Sequence, residues 1–223
     1  MRIVNSRPPE HPPIVLIHGL WYGPISLGML GRRLQRSGGW TVHRFGYPTI
    51  RHALDTNARK LREFIGSGPA HLVGHSLGGL VALRMLERFG TDLPPARLVL
   101  LGSPVNGSAV ARRLARLPAL GRLVGRSAGP LDAGVQHVPP GWEVGVIAGT
   151  RSLGAGRLIQ RLPEPHDGTI TEIETRLDGE TDRLLLPVSH TGLVLSPTVA
   201  DAIDRFLRTG RFDWRESPDG SRG

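Results

Sequence analysis

Residues 71–79 read His71-Leu72-Val73-Gly74-His75-Ser76-Leu77-Gly78-Gly79, which sets a serine between glycines at the spacing Gly-x-Ser-x-Gly. A short apolar run precedes it, and a helical run from Leu77 to Phe89 follows. A serine hydroxyl is a poor nucleophile at neutral pH and does covalent chemistry only beside a base. Between a strand and a helix, the turn is sharp enough to strain the serine backbone and lift Oγ into the open. Gly74 and Gly78 flank it because a Cβ at either place would collide with the neighbouring chain. The helix that follows aims free N–H groups and partial positive charge at any oxyanion formed there. The chemistry implied is attack on an acyl carbon by Ser76. A glycine-rich turn with an incidental serine is the bland alternative, and the strand before and helix after weigh against it.

Such a nucleophile needs an acid and a histidine as partners, and with strand-turn-helix elbows of this spacing they follow in that order along the chain. Nine histidines are available. His11, His18, His43, His52, His71 and His75 precede Ser76 and break that order, while His137 and His166 precede the best acid. His190 lies in Leu184-Leu185-Leu186-Pro187-Val188-Ser189-His190-Thr191-Gly192, an apolar stretch ending in a loop before the last helix. It is the expected general base. Asp167, in Pro165-His166-Asp167-Gly168-Thr169, is favoured as the acid because it follows the strand before the one that leads to His190. Asp-Gly also suits a simple tight turn. Asp178 and Asp182 remain rivals, with Glu164 and Asp132 further off. In the assembled site Asp167 would hold Nδ1–H of His190 while Nε2 takes the Ser76 proton.

Upstream, Ile14-Val15-Leu16-Ile17-His18-Gly19-Leu20 is an apolar strand running into His-Gly. A glycine there lets the main chain approach a reacting carbonyl. The expected oxyanion donors are the N–H groups of Leu20, with Trp21 as the competing choice, and of Leu77. His18 reads as a structural histidine packed beneath the loop. Trp21, Tyr22, Val105 and Leu193 stand at the carboxyl ends of strands and are candidate substrate contacts, although for each one individually ordinary core packing is the better explanation. Their apolar character suits a hydrophobic acyl group.

The elements that must position these residues follow from the punctuation. Strands are predicted near 14–18, 41–45, 71–75, 97–102, 143–148 and 183–188, and helices near 25–37, 54–66, 77–89 and 197–208. Ser196-Pro197 supplies a capping residue and a first-turn proline to the last helix. Alternating strands and helices with continuous apolar strands predict an α/β fold, a mostly parallel sheet covered on both faces. A single domain over 1–214 is expected, with a cap insertion at about 105–141 and a disordered tail at 215–223. Within the insertion, Val110, Leu114 and Leu117 alternate with arginines at helical spacing. A lid over Ser76 and a helix merely packed on the sheet are equally good readings of that pattern.

With these motifs in place, the chain resembles the α/β-hydrolase superfamily, in particular compact bacterial lipases and esterases. The resemblance rests on the strand running into HGL, the GHSLGG elbow, the Asp-Gly acid turn and the LPVSHT histidine loop, and it runs from Pro13 to Phe212. It implies a serine hydrolase acting on carboxylic esters, lipid-like ones included, through an acyl-enzyme. An acyltransferase that resolves the same intermediate with an alcohol or amine is the alternative. A non-catalytic binding module ranks behind both, because serine, acid and histidine are all available.

Composition narrows the remaining classes. A chain of 223 residues suits one domain with a sizeable core. That is small for this fold, so the cap must be short. There is no cysteine, hence no disulfide, thiolate metal site or cysteine nucleophile. HExxH and GxGxxG patterns are absent, and neither metal nor cofactor is expected. No stretch reaches membrane-span length. The first nine residues lack a signal-type apolar core, so a cytoplasmic location is expected. The charge of +9 comes from 28 basic residues of which only Lys60 is lysine. That ratio fits a GC-rich genome better than selection for phosphate contacts. With few aromatics, no nucleic-acid partner is expected. The expected partner is a small-molecule ester, and oligomeric state is not legible.

Overall fold

Six short apolar runs become the strands of one parallel sheet: β1 (Ile14–Ile17), β2 (Val42–Phe45), β3 (His71–His75), β4 (Arg97–Leu101), β5 (Glu143–Gly149) and β6 (Asp182–Leu186). The computed structural model describes residues 11–117, 124–138, 140–153 and 161–212. The expected tail at 215–223 and positions 118–123 and 139 of the expected cap lie outside these residues. Every residue of β1 and β3 is buried, as a sheet covered on both faces requires. The two edge strands are short and carry charge, Arg44 on β2 and Asp182 and Arg183 on β6, which discourages further pairing.

The strand order is β2-β1-β3-β4-β5-β6. The chain therefore steps outward from β1 to β2, returns past β1 to β3, and continues in one direction to β6. Right-handed crossovers in opposite directions put the first connecting helix, α1 (Gly28–Gly38), on the face opposite α2 (Leu54–Ile65) and α3 (Leu77–Phe89). The two faces of the sheet form separate cores. Val15, Ile17, Leu72, Leu98, Leu100 and Val146 pack under α2 and α3. Ile14, Leu16, Val73, Val99, Leu101 and Ile147 meet α1 and the last helix, α7 (Pro197–Thr209), through Leu30, Leu34, Ile203 and Phe206. Alternation within each strand produces this division. Ser196 occupies the N-cap of α7 with Pro197 in its first turn, but the serine side chain makes no capping bond.

Between β4 and β5 lies the segment expected to form a cap, whose described residues include α4 (Ala109–Arg116), a 3-10 turn at Gly125–Ser127 and α5 (Ala128–Ala133). Ser108 caps α4 by accepting from the N–H of Ala111 at 3.2 Å. Val110, Ala111 and Leu114 face inward, whereas Arg112, Arg113 and Arg116 are exposed. Entry and exit of the cap are fastened together, Val135 N–H donating to Val105 O at 3.0 Å and Ser108 N–H to Leu131 O at 2.6 Å. A short helix, α6 (Gly192–Leu195), joins β6 to α7.

Candidate active site

Ser76 sits between β3 and α3 at φ 55°, ψ −123°. A non-glycine residue held there stores about 1–3 kcal/mol of strain. From His71 to Leu83 every residue is buried except Ser76, which is half-buried, so the turn leaves one residue partly open and hides the rest. The strained conformation is kept by its surroundings. Ser76 N–H donates to Leu101 O at 2.9 Å, extending the ladder with β4, and Gly79 N–H donates back to Ser76 O at 3.0 Å. A Cβ on Gly74 would lie 2.5 Å from the Gly79 Cα, and one on Gly78 would collide with the carbonyl oxygens of Ile17 and His18. Both glycines are thus required by close approach.

At the far side of the sheet's carboxyl edge, His190 and Asp167 form a pair. Nδ1 of His190 lies 2.6 Å from Oδ2 of Asp167. A carboxylate only accepts, so Nδ1 carries the proton. Asp167 is 1% exposed, and its second oxygen accepts from the N–H groups of Thr169 and Ile170 at 2.9 and 2.7 Å. Burial alone would raise this carboxyl's pKa. The facing His190 charge and the three hydrogen bonds outweigh it and hold the group below its ordinary value.

The loop expected to supply an oxyanion donor follows β1. Trp21 adopts φ 63°, and with Ser76 it makes up the positive-φ non-glycine pair among the described residues. Its N–H donates to Thr49 Oγ1 at 3.4 Å. The N–H groups of Leu20 and Leu77 donate to none of the described residues. His18 lies beneath the loop as a packed side chain. Its Nδ1 is 3.0 Å from Gly19 O, its Nε2 accepts from Tyr47 N–H at 3.4 Å, and its ring stacks on Tyr47 at 4.5 Å.

A cavity of about 280 Å³ opens over Ser76 and His190. Leu20, Trp21 and Tyr22 line it from the oxyanion loop, Val110, Ala111 and Leu114 from α4, and Leu131, Leu153 and Ile170 complete its apolar wall. Ser76 Oγ makes no hydrogen bond to His190 among the described residues; in unliganded sites such bonds are often long and tighten when substrate binds. The inward face of α4 is at once core and cavity wall. Val105 and Leu193 lie elsewhere. Both are fully buried core side chains outside the cavity lining. The Val105 main chain is held by Ser103 and Val135, and Leu193 packs from α6 beneath the acid–base pair.

The rival acids are occupied in other places. Asp178 is exposed, Asp132 pairs with Arg112 at 2.9 Å, and Glu164 faces His166 at 3.2 Å. Asp182 accepts from the N–H groups of Arg183 and Phe212.

Four residues that the sequence did not single out complete the arrangement. Gly102 (φ 54°) directly follows β4 and Gly149 ends β5, and both make room for Asp167. A Cβ on Gly102 would lie 3.0 Å from Asp167 Oδ2 and 3.3 Å from His190 Nδ1, and one on Gly149 would lie 2.8 Å from Asp167 Cβ. A glycine closing an apolar strand is their only mark in the sequence. Glu174, 8% exposed, receives the N–H of Ala109 at 2.6 Å and of Thr171 at 2.8 Å, tying the acid loop to the start of α4. His75, fully buried, reaches the main chain of His190, with Nε2 3.1 Å from its carbonyl oxygen.

Among the described residues no group of three or more histidine, cysteine or carboxylate side chains could hold a metal ion. No helix among them is long and apolar enough to cross a membrane. A model of the alpha/beta hydrolase family matches residues 14–218. No curated protein matches in sequence. Among solved structures, the mature lipase BlEst2 of Bacillus licheniformis is 19% identical with a TM-score of 0.68, covering 93% of this chain and 95% of that one. The type II thioesterase BorB from the borrelidin biosynthetic cluster is 18% identical with a TM-score of 0.63, covering 93% and 96%. The carboxylesterase CesB of Bacillus subtilis is 15% identical with a TM-score of 0.57, covering 92% and 86%. At such identities the likeness is one of fold.

Proposed function

The chain belongs to the alpha/beta hydrolase family, and from that premise we propose that it hydrolyses carboxylic esters through an acyl-enzyme on Ser76. The observation that carries this reading is the sharing of one cavity by the half-buried, strained Ser76 and by His190, whose Nδ1 is fixed by a buried carboxylate. Ser76 Oγ attacks the ester carbon as Nε2 of His190 takes its proton. The oxygen anion of the tetrahedral intermediate accepts from the N–H groups of Leu20 and Leu77, both of which have that capacity to spare. The intermediate collapses, the C–O bond to the alcohol breaks, and the leaving oxygen receives the proton from Nε2. Water then attacks the acyl carbon, gives a proton to Nε2, and releases the carboxylic acid while Ser76 recovers its hydroxyl hydrogen. Asp167 keeps its charge throughout and stabilises the transient imidazolium.

The apolar wall supports an acyl group of hydrophobic character, laid against Leu20, Val110, Ala111 and Leu114. Thioesters, the substrate class that BorB's description names, present the same acyl carbon with a different leaving atom. The test is turnover of p-nitrophenyl esters from acetyl to dodecanoyl, beside thioesters of the same acids. Ser76→Ala is expected to lower kcat by about 10⁵–10⁶-fold with an unchanged unfolding midpoint. A fluorophosphonate should label the wild type stoichiometrically at Ser76. An unlabelled wild-type serine, or a fully active alanine variant, would refute the reading.

A further inference from the structure

His75 precedes the nucleophile directly and contributes nothing to the cavity wall, yet it touches the base. Its ring is buried between Tyr22, whose ring meets it edge-on at 5.8 Å, and the ring of His190 at 4.7 Å. Its Nε2 lies 3.1 Å from the His190 carbonyl oxygen, and because that oxygen only accepts, Nε2 bears the proton. The other attachments of His190 come from Asp167, which accepts from the His190 N–H at 2.9 Å and from Nδ1 at 2.6 Å. Tyr22 adds a bond from its hydroxyl to Thr191 Oγ1 at 3.3 Å, one residue beyond the base. Remove His75, and the carbonyl side of His190 loses its tie to the elbow.

We propose that His75 is a positioning residue that locks the main chain of His190 to the nucleophile turn, so that Ser76 and Nε2 keep one relative placement. The proposal rests on the hydrolase reading above. One peptide bond and one hydrogen bond then connect nucleophile to base, a far shorter path than the route through β4, β5 and the acid loop. A planar ring suits the task because it carries a donor from the β3 backbone to the carbonyl with only two rotatable bonds. It must also stay uncharged, since a cation beside His190 would oppose the imidazolium formed during catalysis. Burial, with the neighbouring His190 charge, brings the His75 pKa down to about 3 and keeps the ring neutral.

Three variants test this. His75→Gln keeps an amide donor near the Nε2 position, His75→Asn keeps polarity but is too short, and His75→Leu removes the donor. For Leu and Asn, kcat on a short ester should fall by about 10²-fold, the cost of a small misplacement of catalytic groups, with KM changed less than about twofold. Gln should recover at least about tenfold of that loss. If Leu fails to fold, the Gln–Asn comparison decides alone. Hydrogen exchange of the His190 amide gives a readout independent of turnover: Leu and Asn should speed it, and Gln should not. Wild-type kcat in a folded Asn or Leu variant, equal defects in Gln and Asn, or unchanged exchange would overturn the proposal. Failure of fluorophosphonate to label wild-type Ser76 would instead count against the hydrolase reading, and the exchange measurement would still decide the role of His75.

Discussion

His190 is bound to Asp167 twice, its N–H to the main-chain oxygen at 2.9 Å and its ring Nδ1 to the carboxylate at 2.6 Å. In the proposed mechanism Asp167 therefore sets both where the base stands and which nitrogen bears its proton. Backbone placement and tautomer are separable, and substitution of the carboxylate alone should reveal the second without disturbing the first.

Asp167→Asn keeps the main-chain bond and an acceptor for the N–H groups of Thr169 and Ile170, but an amide NH₂ facing His190 favours the wrong tautomer. We expect kcat on p-nitrophenyl butyrate to fall by about 10⁴-fold with a near-normal fold by circular dichroism. Activity within tenfold of wild type would show that another carboxylate serves as the acid.

Gly102→Ala places a methyl group 2.7 Å from Leu193 Cδ1 and 3.0 Å from Asp167 Oδ2, at a backbone φ of 54°. Strain and overpacking together should cost about 2–4 kcal/mol in urea unfolding. What remains folded should show a lower kcat, because the acid–base pair is what must move.

Glu174 spans two loops with one carboxylate, and its truncation leaves the N–H groups of Ala109 and Thr171 without partners. Glu174→Ala should destabilise by about 2–4 kcal/mol, and Glu174→Gln by less, since one oxygen acceptor survives. Limited proteolysis should cut the alanine variant first near α4. A resistant cap in that variant would mean that the Val105–Val135 and Ser108–Leu131 bonds suffice on their own.

Ala111 is the smallest side chain on the α4 wall of the cavity. Ala111→Leu adds three carbons there. The ratio of kcat/KM for octanoyl to that for butanoyl ester should drop at least about tenfold, as one mismatched methylene is worth about 1–3 kcal/mol. An unchanged chain-length profile would place the acyl group elsewhere.

Acid should weaken the fold before the carboxylates titrate. Burial, reinforced by the charge of Arg97, brings His71 down to about 4, and burial with the His190 charge brings His75 to about 3, both from 6.5. Below 6.5 the unfolded chain binds protons that the folded chain refuses. The stabilisation is complete above that pH and declines as pH falls toward 4 and 3, by up to about 1.4 kcal/mol per pH unit for each histidine. His71→Asn, which keeps an acceptor for the Arg97 N–H, should flatten urea midpoints over that window. An equal slope in that variant would exclude His71 as a source.

The scaffold was legible because parallel, doubly covered strands appear as continuous apolar runs, and β1, β3 and β4 begin where those runs begin. Ser76 was legible because glycine on both sides is a steric demand readable one residue at a time. Asp167 could be preferred over Asp178 and Asp182 only by its place relative to β5, and its neighbourhood became visible in three dimensions. His75 was set aside by chain order, which tests for a base and is blind to a residue that holds one. Gly102, Gly149 and Glu174 serve partners 18 to 88 residues away, and no local spacing announces such partners. Val105 and Leu193 show the converse: position after a strand suggested exposure to substrate, and a turn and a helix directed both side chains into the core.

Because all six strands point the same way, Leu20, Ser76, Gly102, Asp167 and His190 all arrive at a single rim of the sheet. The opposite rim, where Pro13 leads into β1 and Ala70 into β3, carries none of them. Labour is thereby divided between two ends of one slab. Segments at the working end can lengthen or change composition and so alter what is admitted, while the far end tolerates grafts, tags or new termini without reaching the chemistry.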